Sequence, residues 1–273
     1  MSRRWPALLR SGGFLTGVLI IVFWTGCALF GRRLAPFDPF ADDILTALSP
    51  PSALHWFGTD QLGRDVLSRV IVGSRDVLTV APLATGLGLA LGVLLGLIAG
   101  YFRGMVDELI SRTIDAVLAL PLVIIALLAL TAIGPSTVTV IIVVGVIFAP
   151  LIARTVRAAV LTERDLDYVA AARLRNESTL WILFSEILPN VAPPILVEAT
   201  VRLGYAVFTV ATLSFIGFGI QPPSPDWGLA VAESYALING GIWWPALFNT
   251  LAISSLVIAV NLAADGIHRA LHA

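Results

Sequence analysis

Glu198 and Arg202 stand four residues apart in a stretch, Val191 to Ile216, that carries no other charge. On a helix that spacing puts both on one face, where they can pair. Charged residues at membrane depth are costly and point to function by default. The pair is therefore expected either to brace the helix or to line a path. The three histidines, His55, His268 and His272, form no HExxH or other metal-ligand spacing, so no metal site is expected. All 17 basic residues are Arg. Without a lysine, a phosphate-binding loop of the GxxxxGK[ST] form is excluded, and nucleotide chemistry must come from another chain. No Ser/His/Asp constellation is present either, so no catalytic residue and no enzyme activity are expected.

The elements that hold these residues follow from composition. Of 273 residues 58% are hydrophobic and 13% charged, about half the usual charged share, and one soluble core could not hide that much apolar surface. Uncharged stretches of roughly 20 residues, enough to cross about 30 Å of hydrocarbon, occur at Ser11–Gly31 and Val77–Phe102. A longer one, Ala116 to Ala153, is divided by the turn signature Gly134-Pro135-Ser136-Thr137. Two more lie within Val191–Ile216 and Trp244–Ala264. The expectation is an all-α, multi-pass membrane protein with six spans and both termini on one side. Arg3, Arg4 and Arg10 precede the first span, and eleven Arg in all fall on that side against Arg32, Arg33, Arg64, Arg69 and Arg75 on the other. The positive-inside rule then puts both termini in the cytoplasm. A net charge of −1 argues against nucleic acid.

Thr25-Gly26-Cys27 has the look of a lipoprotein cleavage site, but Trp24 stands where such sites prefer a small aliphatic residue. The first span is thus expected to be an anchor, with Cys27 an ordinary buried thiol. In the second span Ala84, Gly88, Gly92, Gly96 and Gly100 repeat every four residues, a stripe that lets another backbone approach closely.

The segment from Thr162 to Leu188 carries a helix–turn–helix pattern. Thr162-Glu163-Arg164-Asp165 has the form of a capping box that starts a helix. Leu166, Val169, Ala170 and Arg173 then share one side, with Ala170-Ala171-Ala172 at the middle. Asn176 suits a left-handed end and Ser178 a second cap, opening a helix through Trp181 and Phe184 to Pro189. Small residues on one element suit docking into a partner's groove; by pattern alone a solvated loop fits equally well.

Asp167-Tyr168-Val169-Ala170-Ala171-Ala172-Arg173, followed by Ile187-Leu188-Pro189-Asn190, resembles the EAA loop of permease subunits of ABC importers. Ala170 stands where that family usually has Glu, and Asn176 where it has Gly. His55-Trp56-Phe57-Gly58-Thr59-Asp60-Gln61-Leu62-Gly63-Arg64-Asp65-Val66-Leu67-Ser68-Arg69 is similar to the FGTDxxGRDxxSR segment of dipeptide/oligopeptide-type permeases. Leu213 to Gly228 and Asn261-Leu262-Ala263-Ala264-Asp265-Gly266 match the C-type subunits of that family. The resemblance implies a type I ABC importer permease fold, with Tyr168, Val169, Ala170, Ala171, Ala172, Arg173, Asn176, Leu188 and Pro189 coupling to an ATPase. It further implies a second permease, two ATPase subunits or domains holding ATP and Mg, and an extracytoplasmic substrate-binding lipoprotein. This chain would itself bind no cofactor. Cargo in the family is dipeptides, oligopeptides, nickel complexes or haem-like molecules.

Two units are expected: residues 1–76, an anchor helix and outer loop, and residues 77–273, the core permease with its coupling loop at about 162–188. Arg64 to Arg75 reads as an amphipathic helix at the interface. Arg64, Asp65, Arg69 and Asp76 are expected to pair among themselves, with contact to the binding protein as the alternative. Asp60, Arg64, Trp227, Trp243 and Trp244 are the docking candidates on the outer face, the last three in a Pro- and Trp-rich cap between Gln221 and Pro245. Bulky or charged changes at Ala171 or Ala172 should uncouple transport and spare the fold. The competing reading is an ion-coupled secondary carrier, which needs an ionisable relay in the bundle; an intramembrane enzyme is a weaker third.

Overall fold

A computed structural model describes residues 11–272, with side chains to residue 270. Arg3, Arg4 and Arg10, the start of the charge count, and the His272 side chain lie outside the described residues. Among the described residues nine principal helices run in the order α1 (Gly12–Leu34), α2 (Val66–Phe102), α3 (Gly104–Leu118), α4 (Leu122–Ile133), α5 (Thr137–Glu163), α6 (Asp167–Leu174), α7 (Ala192–Phe215), α8 (Trp227–Ser234) and α9 (Trp244–His272). Five of them, α1, α2, α5, α7 and α9, are long and apolar enough to cross a bilayer. With α3 and α4 counted as one bent span the number is six.

That bend corrects the third expected span. Ala116 to Ile133 is not one helix: α3 and α4 meet at 88° across Ala119-Leu120-Pro121. Pro121 has no N–H to give and pushes Leu120 out of the helical region, so a single proline turns the chain. The first helix begins on Ser11, whose Oγ accepts from Phe14 N, and Cys27 is buried inside the bundle as expected.

α2 also differs from expectation. It is one helix of 37 residues, about 56 Å long, capped by Asp65 Oδ2 accepting from Ser68 N at 2.8 Å. Arg69 and Arg75 belong to its first turns, so no separate interfacial helix exists and the boundary at residue 76 falls inside a continuous element.

The core is the α2–α5 contact. A Cβ built on Gly92 would sit 2.6 Å from Ile152 Cβ and 2.8 Å from Ala149 O, and one on Gly96 the same distances from Val156 Cβ and Ala153 O. The glycine stripe is therefore a packing seam, as its spacing implied. α9 lies against α1, where Gly17 faces Ala259 O and Trp24 Nε1 donates to Ser255 Oγ at 2.9 Å. α7 and α9 close the other side around Gly204.

Candidate functional site

Two regions gather the residues singled out by sequence, one at each end of the bundle. At the first end α5 does not stop at a capping box. It runs on through Thr162 to Glu163, so the expected start at Thr162–Asp165 is a helix end instead. The next helix, α6, opens at Leu166 without a side-chain cap. Its far end closes as the sequence suggested. Asn176 is left-handed at φ 57°, Asn176 N donates to Arg173 O at 3.0 Å and Glu177 N to Ala172 O at 3.2 Å. Those two bonds are a Schellman closure, and Asn tolerates the conformation better than most residues with a side chain.

Ser178 Oγ then accepts from Trp181 N at 3.2 Å, as expected, and starts the second helix. That helix does not end at Pro189. Thr179–Trp181 passes into a π-helical stretch, Ile182–Ile187, then Leu188–Asn190, and Val191 links it directly to α7. The wide turn gives Leu188 N its partner at Leu183 O, one residue further back than in an α-helix. A nearly continuous run of helix thus joins the turn after α6 to α7.

Within the nine residues expected to couple, the structure makes a division that spacing does not show. Val169 and Ala172 are fully buried, while Ala170, Ala171, Arg173 and Asn176 are exposed. Tyr168 and Leu188 are half-buried, and Pro189 is exposed. Tyr168 donates to Glu163 Oε2 at 2.8 Å; burial, then the adjacent carboxylate, pushes its phenol up to about 12. Ala172 is therefore part of the packing, and the expectation that substitutions there spare the fold is corrected.

Several partners of this segment were not visible in the sequence. Arg173 lies over the Tyr101 ring, and Arg164 donates to the carbonyls of Gly100 and Tyr101, tying α6 to the end of α2. Arg103 and Arg164 both bond Asp165, at 2.5 and 3.1 Å, and hold its carboxyl below the usual range. Leu174 at 86% exposure, Leu180 at 69%, Trp181 at 53% and Phe184 at 48% are exposed on the same segment that exposes Ala170 and Ala171. Apolar side chains exposed together beyond the end of the spans need a cover.

Glu198 and Arg202 pair on α7 at 2.6 Å, with Thr155 donating to the second Glu198 oxygen at 3.4 Å and Arg202 over the Tyr205 ring. Both side chains are largely covered.

At the opposite end the expected set of pairs is replaced by another. Arg64 bonds Asp60 at 2.7 Å and reaches Glu233 at 3.5 Å; Arg69 bonds the carbonyls of Pro39 and Ser224 and lies 3.5 Å from Asp60. Asp65 takes His55 at 2.9 Å, and Asp76 accepts from Ser224. Arg64, Asp65, Arg69 and Asp76 do pair, but with the loops around them and not with one another.

Three docking candidates are also relocated. Arg64 is buried; Trp227 is fully buried, its Nε1 donating to Val70 O at 2.8 Å, and Trp244 is buried with Nε1 on Thr59 O at 3.0 Å. They hold the loops to the bundle and offer no surface. Asp60 is mostly enclosed, and Trp243, at 46% exposure, is the one aromatic of the three that faces out. The cap is itself helical: Asp226 Oδ1 accepts from Leu229 N at 2.9 Å to start α8. Asp226 is fully buried and its Oδ2 has no partner among the described residues, and burial pushes its carboxyl up to about 6.

Comparison with known proteins gives one family. The binding-protein-dependent transport system inner membrane component matches residues 92–273. The di/tripeptide transport system permease protein DppC of Pseudomonas aeruginosa is 38% identical, the match spanning 98% of this chain and 90% of the relative. A probable D,D-dipeptide transport system permease protein of Escherichia coli is 36% identical over 93% and 85%. A glutathione transport system permease protein of Escherichia coli is 38% identical over 98% and 88%. Among solved structures, an inward-facing conformation of the MetNI methionine ABC transporter superposes with a TM-score of 0.61 at 20% identity, covering 75% of this chain and 97% of the other. That likeness establishes the fold.

Proposed function

Because this chain belongs to the binding-protein-dependent transport system inner membrane components, we propose that it forms half of the path of an ATP-driven importer for short peptides. The observation that carries the reading is the exposure of Leu174, Leu180, Trp181 and Phe184 on the segment that also exposes Ala170 and Ala171. It fits the groove of a cytoplasmic ATPase, with α6 as the coupling helix. ATP and Mg then belong to two ATPase subunits or domains, and this chain contributes motion and no chemistry. The relatives named for di/tripeptides, D,D-dipeptides and glutathione support a peptide cargo.

Mechanically, closure of the ATPases pulls α6. The Schellman closure, the π-helical stretch and Val191 pass that displacement to α7 with few soft joints. One stripe of α7 carries Glu198, Arg202, Tyr205, Phe208 and Thr212, and Tyr205 and Phe208 are more than half exposed. Ionic and hydroxyl groups are expensive against lipid, so this stripe faces a second, different permease and the path between them. In this reading the start of α1 and the end of α9 lie with α6 on the cytoplasmic side, and the loops around Trp227 and Trp244 face an external binding lipoprotein through Trp243.

The test is a mild-detergent pull-down of the tagged chain from its native membrane, followed by mass spectrometry and by uptake of a labelled dipeptide into reconstituted vesicles. Co-purification of ATPases and a second permease, with uptake that needs internal ATP, is the expected result. A chain that purifies only with itself and transports on an ion gradient without ATP would replace the importer with a secondary carrier.

A further inference from the structure

Arg32, Arg33 and Arg75 come from two helices and line one groove of about 470 Å³ at the end of the bundle away from α6. All three are exposed, and none of their guanidinium groups makes an ion pair or hydrogen bond among the described residues. Other arginines at this end, Arg64 and Arg69, are fully engaged. A cation in the last turn of a helix is favoured by the carbonyls there, which accounts for Arg32 and Arg33 on α1. It does not account for Arg75, which lies in the third turn of α2 and is brought beside them where α1 packs on α2, Gly31 lying against Ile71 and Val72. The one negative charge lining the groove is Asp76, which accepts from Ser224 and is close enough to feel the Arg75 charge, leaving two of the three cations without a counter-charge there.

The placement says what anion fits. α1 is 23 residues long, about 35 Å, so its last turn sits where hydrocarbon gives way to headgroups. Below the arginines Leu19, Phe23 and Phe30 stand exposed along one side of α1, and Leu29 and Phe30 form the groove's apolar wall. Cations at the rim with a strip of exposed apolar side chains beneath match a phosphodiester carrying acyl chains, and lone cations at headgroup depth attract anionic lipid. We propose that this groove binds the headgroup phosphate of an anionic glycerophospholipid from the leaflet opposite the α6 end, with an acyl chain along α1.

The test uses the full chain, with whatever subunits co-purify, in mild detergent, titrated with phosphatidylglycerol and read by native mass spectrometry. The wild type should hold phosphatidylglycerol at least tenfold more tightly than the combined Arg32→Gln, Arg33→Gln, Arg75→Gln variant. The corresponding triple Lys variant should stay within about threefold of wild type, which separates charge from fold. A photoreactive phosphatidylglycerol on the wild type should label peptides containing residues 28–33 or 72–75; this arm needs no variant to fold. Equal affinity of the triple Gln variant and wild type, or labelling confined to other helices, overturns the proposal. So does glycerol 1-phosphate displacing the lipid at equal concentration, which would make the groove a site for a soluble anion.

Discussion

The Arg173 guanidinium lies 5.2 Å from the centroid of the Tyr101 ring, joining the last turn of α6 to the end of the glycine-striped α2. Arg164 approaches the same ring at 5.9 Å and also holds the carbonyl end of that helix. Residues 72 positions apart in the chain therefore fix where the proposed coupling helix sits. A cation over an aromatic face at a partly exposed site contributes about 0.5–1 kcal/mol, enough to set an orientation without locking it.

Tyr101→Ala should loosen this seat while Tyr101→Phe, which keeps the ring, should not. In reconstituted importer the ratio of ATP hydrolysed to peptide taken up should rise several-fold for the Ala variant and stay near wild type for Phe. Equal ratios in all three would remove Tyr101 from the coupling path.

Ala171 and Ala172 are neighbours with opposite surroundings, one exposed and one fully buried. Ala171→Glu should leave thermal unfolding unchanged and cut retention of the ATPase subunits at least fivefold. Ala172→Leu should instead destabilise by about 1–3 kcal/mol through overpacking, visible as a lower unfolding temperature. The reverse pattern would mean α6 docks through its other face.

Gly92 and Gly86 give a matched pair on α2. A Cβ on Gly92 meets Ile152 and the Ala149 carbonyl, whereas one on Gly86 meets nothing within 4 Å. Gly92→Ala should lower stability by about 1–3 kcal/mol because backbone must move. Gly86→Ala should be neutral or stabilise by up to about 1 kcal/mol. Differential scanning fluorimetry in detergent separates them.

Removing one partner of a covered ion pair leaves a charge without compensation, while removing both does not. Glu198→Ala should therefore impair assembly and uptake more than Glu198→Ala combined with Arg202→Ala. If the single and double variants lose the same amount, the 2.6 Å contact is incidental to function.

Asp226 offers a pH test. Its folded value, about 6, lies above the ordinary aspartate value of 3.8, so the fold prefers the protonated acid. Its contribution is most favourable below about pH 4 and declines as pH rises through 6. Asp226→Asn keeps an acceptor for Leu229 N and removes the buried charge. At pH 7.5 it should stabilise the chain by on the order of 2–3 kcal/mol, from about two pH units at 1.36 kcal/mol each, and flatten the stability profile between pH 4 and 6. A variant less stable than wild type at pH 7.5 would mean the carboxylate is held charged.

Much of this protein is local, and the local part is legible without a structure. Apolar runs marked the start of α1, both ends of α7 and the start of α9 to within a residue, because a bilayer demands length and composition. The four-residue glycine period implied a close helix contact, and Asn176 and Ser178 showed a helix ending and another starting, because left-handed geometry and capping depend on adjacent residues alone. The tertiary structure decided everything that needed a partner from elsewhere in the chain. Trp227 and Trp244 look like surface anchors by composition, yet Val70 and Thr59, more than 150 residues away, take their indole N–H groups and bury them. Arg64 and Arg69 find Asp60, Glu233 and the carbonyls of Pro39 and Ser224 instead of one another. The capping pattern at Thr162 starts no helix because α5 runs on through Glu163, and the separation of Ala171 from Ala172 depends on which side of a two-turn helix meets the bundle. Spacing determines which residues share a face; only packing determines what that face meets.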